Sequence, residues 1–150
     1  WHIQAAATAD GLSYVSLRDE APQPPGVRME GEFVRDDVAL APYLEQIEQY
    51  LLGERKDFNL PLDVRGTPFQ QAVWEELRAI PYGETRTYAD IARRIGRPQA
   101  ARAVGAAVGA NPALLVVPCH RVVASGGKLS GYRDGPHVKE RLLRLESGME

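Results

Sequence analysis

Two short apolar runs, Ile3 to Thr8 and Leu12 to Leu17, flank Asp10-Gly11. Strand-like runs on either side of an Asp-Gly pair predict a β-hairpin, because both residues tolerate the left-handed backbone of a tight turn. Residues 19–26 hold three prolines and read as a loop. Glu32 to Val38 reads as a further short strand. Leu44, Ile47 and Leu51 recur at helical spacing and predict a helix from Pro42 to Leu52, with Gly53 placed to end it. Residues 57–66 read as a proline-containing linker, so the first half is expected to be a small α+β unit.

The pattern then becomes helical. Thr67-Pro68 opens a helix to about Ala79, with Phe69, Val73 and Leu77 on one stripe, and Pro81-Tyr82-Gly83 breaks it. Thr87 with Asp90 forms a capping-box pattern ahead of Tyr88, Ile91, Ala92 and Ile95, the apolar face of a short helix ending at Gly96. Pro98 is expected to start another helix that runs to about Gly109. Two short helices around a glycine turn are the helix-turn-helix pattern. The second carries almost no bulk apart from Arg102, because Ala100, Ala101, Ala103, Gly105, Ala106 and Ala107 fill it. Such a smooth helix fits close approach to another surface, either a narrow minor groove or a packed neighbour. Leu114 to Val117 is an apolar run, residues 124–135 a glycine-rich loop, and a final helix is expected from Pro136 to about Ser147. The expected class is α+β: a small N-terminal α/β domain over 1–63, then a mainly helical, winged-helix-like domain with a helix-turn-helix over 64–150.

Composition changes this picture in one respect. With 44% hydrophobic and 25% charged residues among 150, the chain has the make-up of an ordinary globular protein. No apolar run approaches the ~20 residues of a membrane span, and no leader pattern opens the chain, so a cytoplasmic protein that avoids membranes is expected. The net charge of −2 hides an asymmetry. Residues 1–63 carry five Lys and Arg against twelve Asp and Glu, whereas residues 64–150 carry thirteen against eight. The second half, at +5, is the one suited to a polyanion.

Cys119 is the sole cysteine, within Val117-Pro118-Cys119-His120-Arg121-Val122-Val123. A lone cysteine can make neither an intramolecular disulfide nor a cysteine-rich zinc site, so its chemistry is that of a thiolate or of a small buried hydrophobe. His120 is a base beside it, Arg121 a cation, and Asn111 and Glu146 are orienting groups on flanking segments. His2, His120 and His137 have no metal-like spacing, and no phosphate-binding glycine loop occurs, so neither metal nor cofactor is expected. A transcription regulator with a redox cysteine and a Cys-His hydrolase remain open on these residues alone.

Residues 66–148 closely resemble the O6-alkylguanine-DNA alkyltransferases. The likeness rests on Phe69-Gln70 with Val73-Trp74, Ile80-Pro81-Tyr82-Gly83, Thr87-Tyr88 with Ile91-Ala92, Ala101-Arg102-Ala103-Val104-Gly105, Asn111-Pro112, Pro118-Cys119-His120-Arg121-Val122, Gly131-Tyr132, and Lys139 with Leu142-Leu143 and Glu146. It implies irreversible transfer of an alkyl group from O6 of guanine, or O4 of thymine, in double-stranded DNA to Cys119. It further implies that Glu146 orients His120, which takes the Cys119 proton through a water, and that Asn111 braces the turn. Tyr132, Val122, Arg133 and Val108 would meet the base. Tyr88, Arg102, Ala100, Ala101 and Ala103 would meet DNA through its minor groove, with Arg102 filling the gap left by a flipped nucleotide. An extended backbone at Cys119-His120 would send adjacent side chains to opposite faces, which is why a water is expected between them. The protein is expected to be monomeric. A non-reactive lesion sensor is the nearest rival, and Cys119 argues against it.

Overall fold

The computed structural model describes residues 1–18 and 35–148. Strands β1 (His2–Thr8) and β2 (Gly11–Arg18) form the antiparallel hairpin, with an irregularity between Ala6 and Ala7. Helix α1 covers Asp37–Leu51, its first turn capped by the Asp36 carboxylate, which accepts from the Ala39 N–H. Two expectations need correction here. Residues 37 and 38 lie in this helix and not in a strand, while Glu32 to Val34 fall outside the described residues. The helix also begins before Pro42, because the Asp36 cap supplies the start and a proline six residues in forfeits only one backbone bond.

Residues 57–66 are not a free linker. The Leu12 N–H donates to the Pro61 carbonyl at 2.9 Å and the Asp63 N–H to the Leu12 carbonyl at 2.8 Å, so this segment runs along β2. Gly11 makes room for it: φ is 148°, and a Cβ there would lie 2.6 Å from the Pro61 carbonyl carbon. Further along β2, the Val15 N–H donates to the Pro112 carbonyl at 2.9 Å, which joins the hairpin to the second half.

In that half, α2 (Pro68–Arg78) and α3 (Tyr88–Arg94) each begin with the complete capping box that Thr67 and Thr87 announce. Helix α4 covers Ala101–Gly109. It starts three residues after the expected Pro98, since the Ala100 N–H bonds back to the Arg97 carbonyl in a turn and Ala100 is the cap. A two-residue strand β3 (Arg86–Thr87) pairs in parallel with β4 (Val122–Val123), and α5 (Pro136–Glu146) closes the fold.

One core runs through both halves, with Leu12, Val15, Leu17, Ile47 and Tyr50 packed together with Val73, Leu77, Ile91, Val104 and Leu142. At about 1.5–3 kcal/mol per buried aliphatic side chain, this shared interior favours association of the halves. The described buried polar residues are Ser16, Asn111, His120, Arg121, Asp134, Lys139 and Glu146. Burying charge is costly unless it is paired, so their concentration around Cys119 marks the chemically unusual part of the molecule. No described helix is long and apolar enough to cross a membrane.

Candidate active site

Cys119 opens a single 3-10 turn, Cys119–Arg121, closed by Arg121 N–H to the Pro118 carbonyl at 3.0 Å. The extended backbone expected at Cys119-His120 is therefore replaced by a turn in which successive side chains diverge by about 120°. Asn111 holds the approach to it: its side chain donates to the Val117 carbonyl at 2.8 Å and accepts from the Ala113 N–H at 3.0 Å. Between these two anchors Leu115 is forced to φ 73°, a conformation that a branched side chain rarely adopts.

Behind the turn is a buried charge network. His120 Nε2 lies 2.6 Å from Glu146 Oε2. Arg121 grips the same carboxylate with both arms, Nε to Oε1 at 2.8 Å and Nη2 to Oε2 at 3.0 Å, and donates through Nη1 to the Ile80 carbonyl at 2.7 Å. The Tyr50 hydroxyl of α1 hydrogen-bonds Glu146 Oε2, and the Gly83 N–H reaches Oε1 at 3.4 Å. Burial pushes the Glu146 carboxyl above the ordinary carboxylate range. The guanidinium opposes this, because a neutral Glu146 would leave Arg121 a buried cation with no counterion; burial lowers the arginine only to about 10. Burial, with Arg121 and Lys139 nearby, holds His120 well below its usual value, so the imidazole is neutral. With Nε2 engaged by the carboxylate, Nδ1 is buried and makes no hydrogen bond among the described residues.

In front of the turn lies a cavity of about 270 Å3, lined by Cys119 and Tyr132 with Tyr88, Val108, Leu114 and Arg133. Burial raises the Cys119 thiol, against the opposing pull of Asn111, Lys139 and Arg133. Burial and the neighbouring Cys119 and Asp134 push the Tyr132 phenol well above its ordinary value, so it remains an O–H donor. That hydroxyl is buried and makes no hydrogen bond among the described residues. The cavity thus offers a thiol and an unspent donor side by side. The Val122 carbonyl accepts from the fully buried Lys139 ammonium at 2.6 Å, which also donates to Ser130 Oγ at 2.9 Å.

The Arg133 guanidinium is turned toward the protein. Nη1 donates to the Asn111 carbonyl at 2.9 Å, Nη2 to the Val15 carbonyl at 2.5 Å, and the group lies 5.0 Å over the Tyr14 ring. Its neighbour Asp134 accepts from Ser16 Oγ at 2.9 Å and the Leu17 N–H at 2.7 Å. Both side chains therefore tie the 131–135 loop to β2.

Helix α4 forms one wall of the cavity. Gly105, Val108 and Gly109 line the cavity, while Arg102 and Ala103 are exposed and Ala100 and Ala101 half-exposed. Arg102 makes no hydrogen bond or ion pair among the described residues. Tyr88 packs under Gly105, whose added Cβ would sit 3.8 Å from the ring, and its hydroxyl lies 2.6 Å from Ser130 Oγ. The fold thus brings Cys119, Val108, Tyr88, Tyr132 and Arg133 to one cavity, with Asn111 bracing the turn, His120 and Glu146 behind it, and the alanine face with Arg102 outside it. Sequence reasoning missed Tyr50, Ser16 and Asp134 and gave Lys139 no role. Lys139 carried a signal, as a lysine on the helix stripe it shares with Val138, Leu142 and Glu146. Tyr50 carried none, since a tyrosine on such a stripe reads as core.

Residues 68–148 match the family model described as 6-O-methylguanine DNA methyltransferase, DNA binding domain, and residues 1–64 the one described as 6-O-methylguanine DNA methyltransferase, ribonuclease-like domain. The inducible methylated-DNA–protein-cysteine methyltransferase of Bacillus subtilis is 48% identical over 97% of this chain and 84% of its own length. The methylated-DNA–protein-cysteine methyltransferase of Methanosarcina acetivorans is 43% identical over 96% of this chain and 90% of its own. Among solved structures, Mycobacterium tuberculosis OGT in complex with DNA superposes with a TM-score of 0.81 at 41% identity, over 98% of this chain and 87% of that one.

Proposed function

Because this chain belongs to the 6-O-methylguanine DNA methyltransferase family, we propose that it repairs DNA by direct reversal, with Cys119 as the acceptor of an alkyl group from O6 of guanine. The observation that carries this reading is the Tyr132 hydroxyl, buried in the same cavity as the Cys119 thiol and without a partner among the described residues. Displacement at a saturated carbon needs a nucleophile on one side and a donor for the leaving group on the other.

The proton and electron balance closes within the site. His120 Nδ1 takes the thiol proton, through a water, while Nε2–H stays on Glu146. Sulfur attacks the alkyl carbon, the carbon–O6 bond breaks, and the electron pair leaves on guanine. Tyr132 donates to the guanine ring as that charge develops and is reprotonated from His120. The products are a thioether and guanine, and because no group in the site cleaves a thioether, each molecule acts once.

A base stacked within a duplex cannot reach the thiol in a cavity walled by α4, so the nucleotide must rotate out. The exposed alanine face supports close approach in the minor groove, and unpaired Arg102 supports the role of filling the vacated stack. Tyr88 borders the entry, Val108 the base plane, and the Val122 carbonyl keeps a lone pair beyond the one given to Lys139. Residues 1–63 act as the supporting unit and 64–150 as the reacting one. A monomer in the cytoplasm fits a reaction that needs one reduced thiol and one lesion.

Intact-mass measurement after incubation with an O6-methylguanine oligonucleotide tests the proposal. One methyl group, an increase of about 14 Da, should appear on Cys119 and then stop. Turnover on excess DNA, or binding without any mass change, would overturn it, the second outcome favouring a lesion sensor.

A further inference from the structure

Tyr50 lies on α1, outside the segment that carries the thiol, yet its hydroxyl contacts the acid behind His120. The ring is fully buried, stacked on Phe58 at 5.1 Å and edge-on to Tyr82 at 5.7 Å, so the hydroxyl has one direction in which to point. Arg121 Nη2 donates to that oxygen at 3.2 Å. A guanidinium can only donate, which leaves the Tyr50 hydrogen for Glu146 Oε2.

Around Glu146, Tyr50 comes from α1; His120 and Arg121 come from the 3-10 turn, the Gly83 N–H from the loop before β3, and Glu140 and Arg144 of α5 share an outer cavity with it. Lys139 lies on the Cys119 side of α5, and Lys56 is 5.6 Å over the Tyr82 ring. Arg121 and Gly83 offer Glu146 only hydrogens. Were Glu146 protonated, its hydrogen would go to His120 Nε2, the imidazole hydrogen would move to Nδ1, and the base facing the thiol would be lost.

We propose that Tyr50 is a positioning residue for alkyl transfer: its hydroxyl hydrogen keeps Glu146 ionised and thereby holds His120 in the tautomer whose Nδ1 accepts the Cys119 proton. This rests on the reading of His120 given above.

Tyr50→Phe keeps the ring stack and removes the hydroxyl. Two rates are followed by intact mass from pH 6 to 10: Cys119 alkylation by iodoacetamide, and methyl transfer from an O6-methylguanine oligonucleotide. Near neutrality both should fall about tenfold, the scale of one hydrogen bond to a charge, and both should converge on the parent's as hydroxide removes the thiol proton directly. A loss that stays parallel at every pH, or no loss, overturns the proposal. Nitrogen NMR of the parent's His120 ring is a second readout that needs no variant: hydrogen on Nε2 supports it, and hydrogen on Nδ1 overturns it. If the parent takes no methyl group from DNA, the repair reading fails, while the iodoacetamide profiles and the tautomer still decide the role of Tyr50.

Discussion

Ser16 of the hairpin donates its hydroxyl hydrogen to Asp134 at 2.9 Å, across 118 positions of chain, and both side chains are buried. Asp134 follows Tyr132 and Arg133 in the loop that walls the cavity, so the position of the Tyr132 hydroxyl depends on a strand that holds no reacting atom. The Arg133 arm on the Val15 carbonyl strengthens the same attachment.

Asp134→Ala removes the acceptor of two buried donors, Ser16 Oγ and the Leu17 N–H. Leaving them unsatisfied should cost about 2–3 kcal/mol, or a fall in Tm of roughly 5–10 °C by calorimetry. Transfer from free benzylated guanine should fall further than iodoacetamide alkylation, because the loop meets the base. An unchanged Tm would show that the clamp contributes no stability.

Glu146→Gln serves less as a clean test of the relay than as a test of the pair it forms with Arg121. It leaves a buried guanidinium uncompensated, a loss of about 3–5 kcal/mol that denaturant titration should register. The transfer rate should fall as well, with partial recovery at alkaline pH. Wild-type stability would mean that Arg121 finds another anion.

Arg102→Ala should slow repair of duplex DNA by at least tenfold while sparing reaction with free benzylated guanine, which needs no flipping. Parallel assays of the two substrates decide this. Equal loss on both would place Arg102 in the chemistry instead.

For the pH response the sign follows from burial. The Cys119 thiol titrates above its ordinary value, so the protonated form dominates at neutrality and, up to that point, each unit by which pH rises increases the thiolate about tenfold. Iodoacetamide alkylation of the parent should climb above neutrality and still be rising at pH 9. A plateau near pH 7 would show a thiolate already formed in the resting protein.

Capping boxes at Thr67 and Thr87, the Asp10-Gly11 hairpin and the helix stripes were legible because each depends on residues within a turn of one another. That Cys119, His120, Asn111 and Glu146 act together was expected from the family resemblance and not from any local pattern. What was not legible depends on chain-distant partners. The Pro61 and Pro112 carbonyls that flank β2 turn an apparent linker into a packed segment, and no local pattern reports that. Arg133 was expected only to meet the base, and its hold on β2 was hidden because sequence does not tell which way an arginine points. The 3-10 turn at Cys119 was hidden for a similar reason: the Asn111 brace and the strained Leu115 impose it from outside the heptapeptide.

The long reach of these contacts also bears on when the thiol becomes competent. Tyr50 to Glu146 spans 96 positions, and Ser16 to Asp134 spans 118. Closing loops of this size is slow compared with forming the short helices around Cys119. A chain still emerging from synthesis can hold α2, α3 and α4 in place while its cysteine remains an ordinary thiol, since α5 brings Glu146 only at the end. For a protein that can react once, late assembly is a safeguard: the molecule becomes able to spend its sulfur only after the structure that selects the proper target is complete.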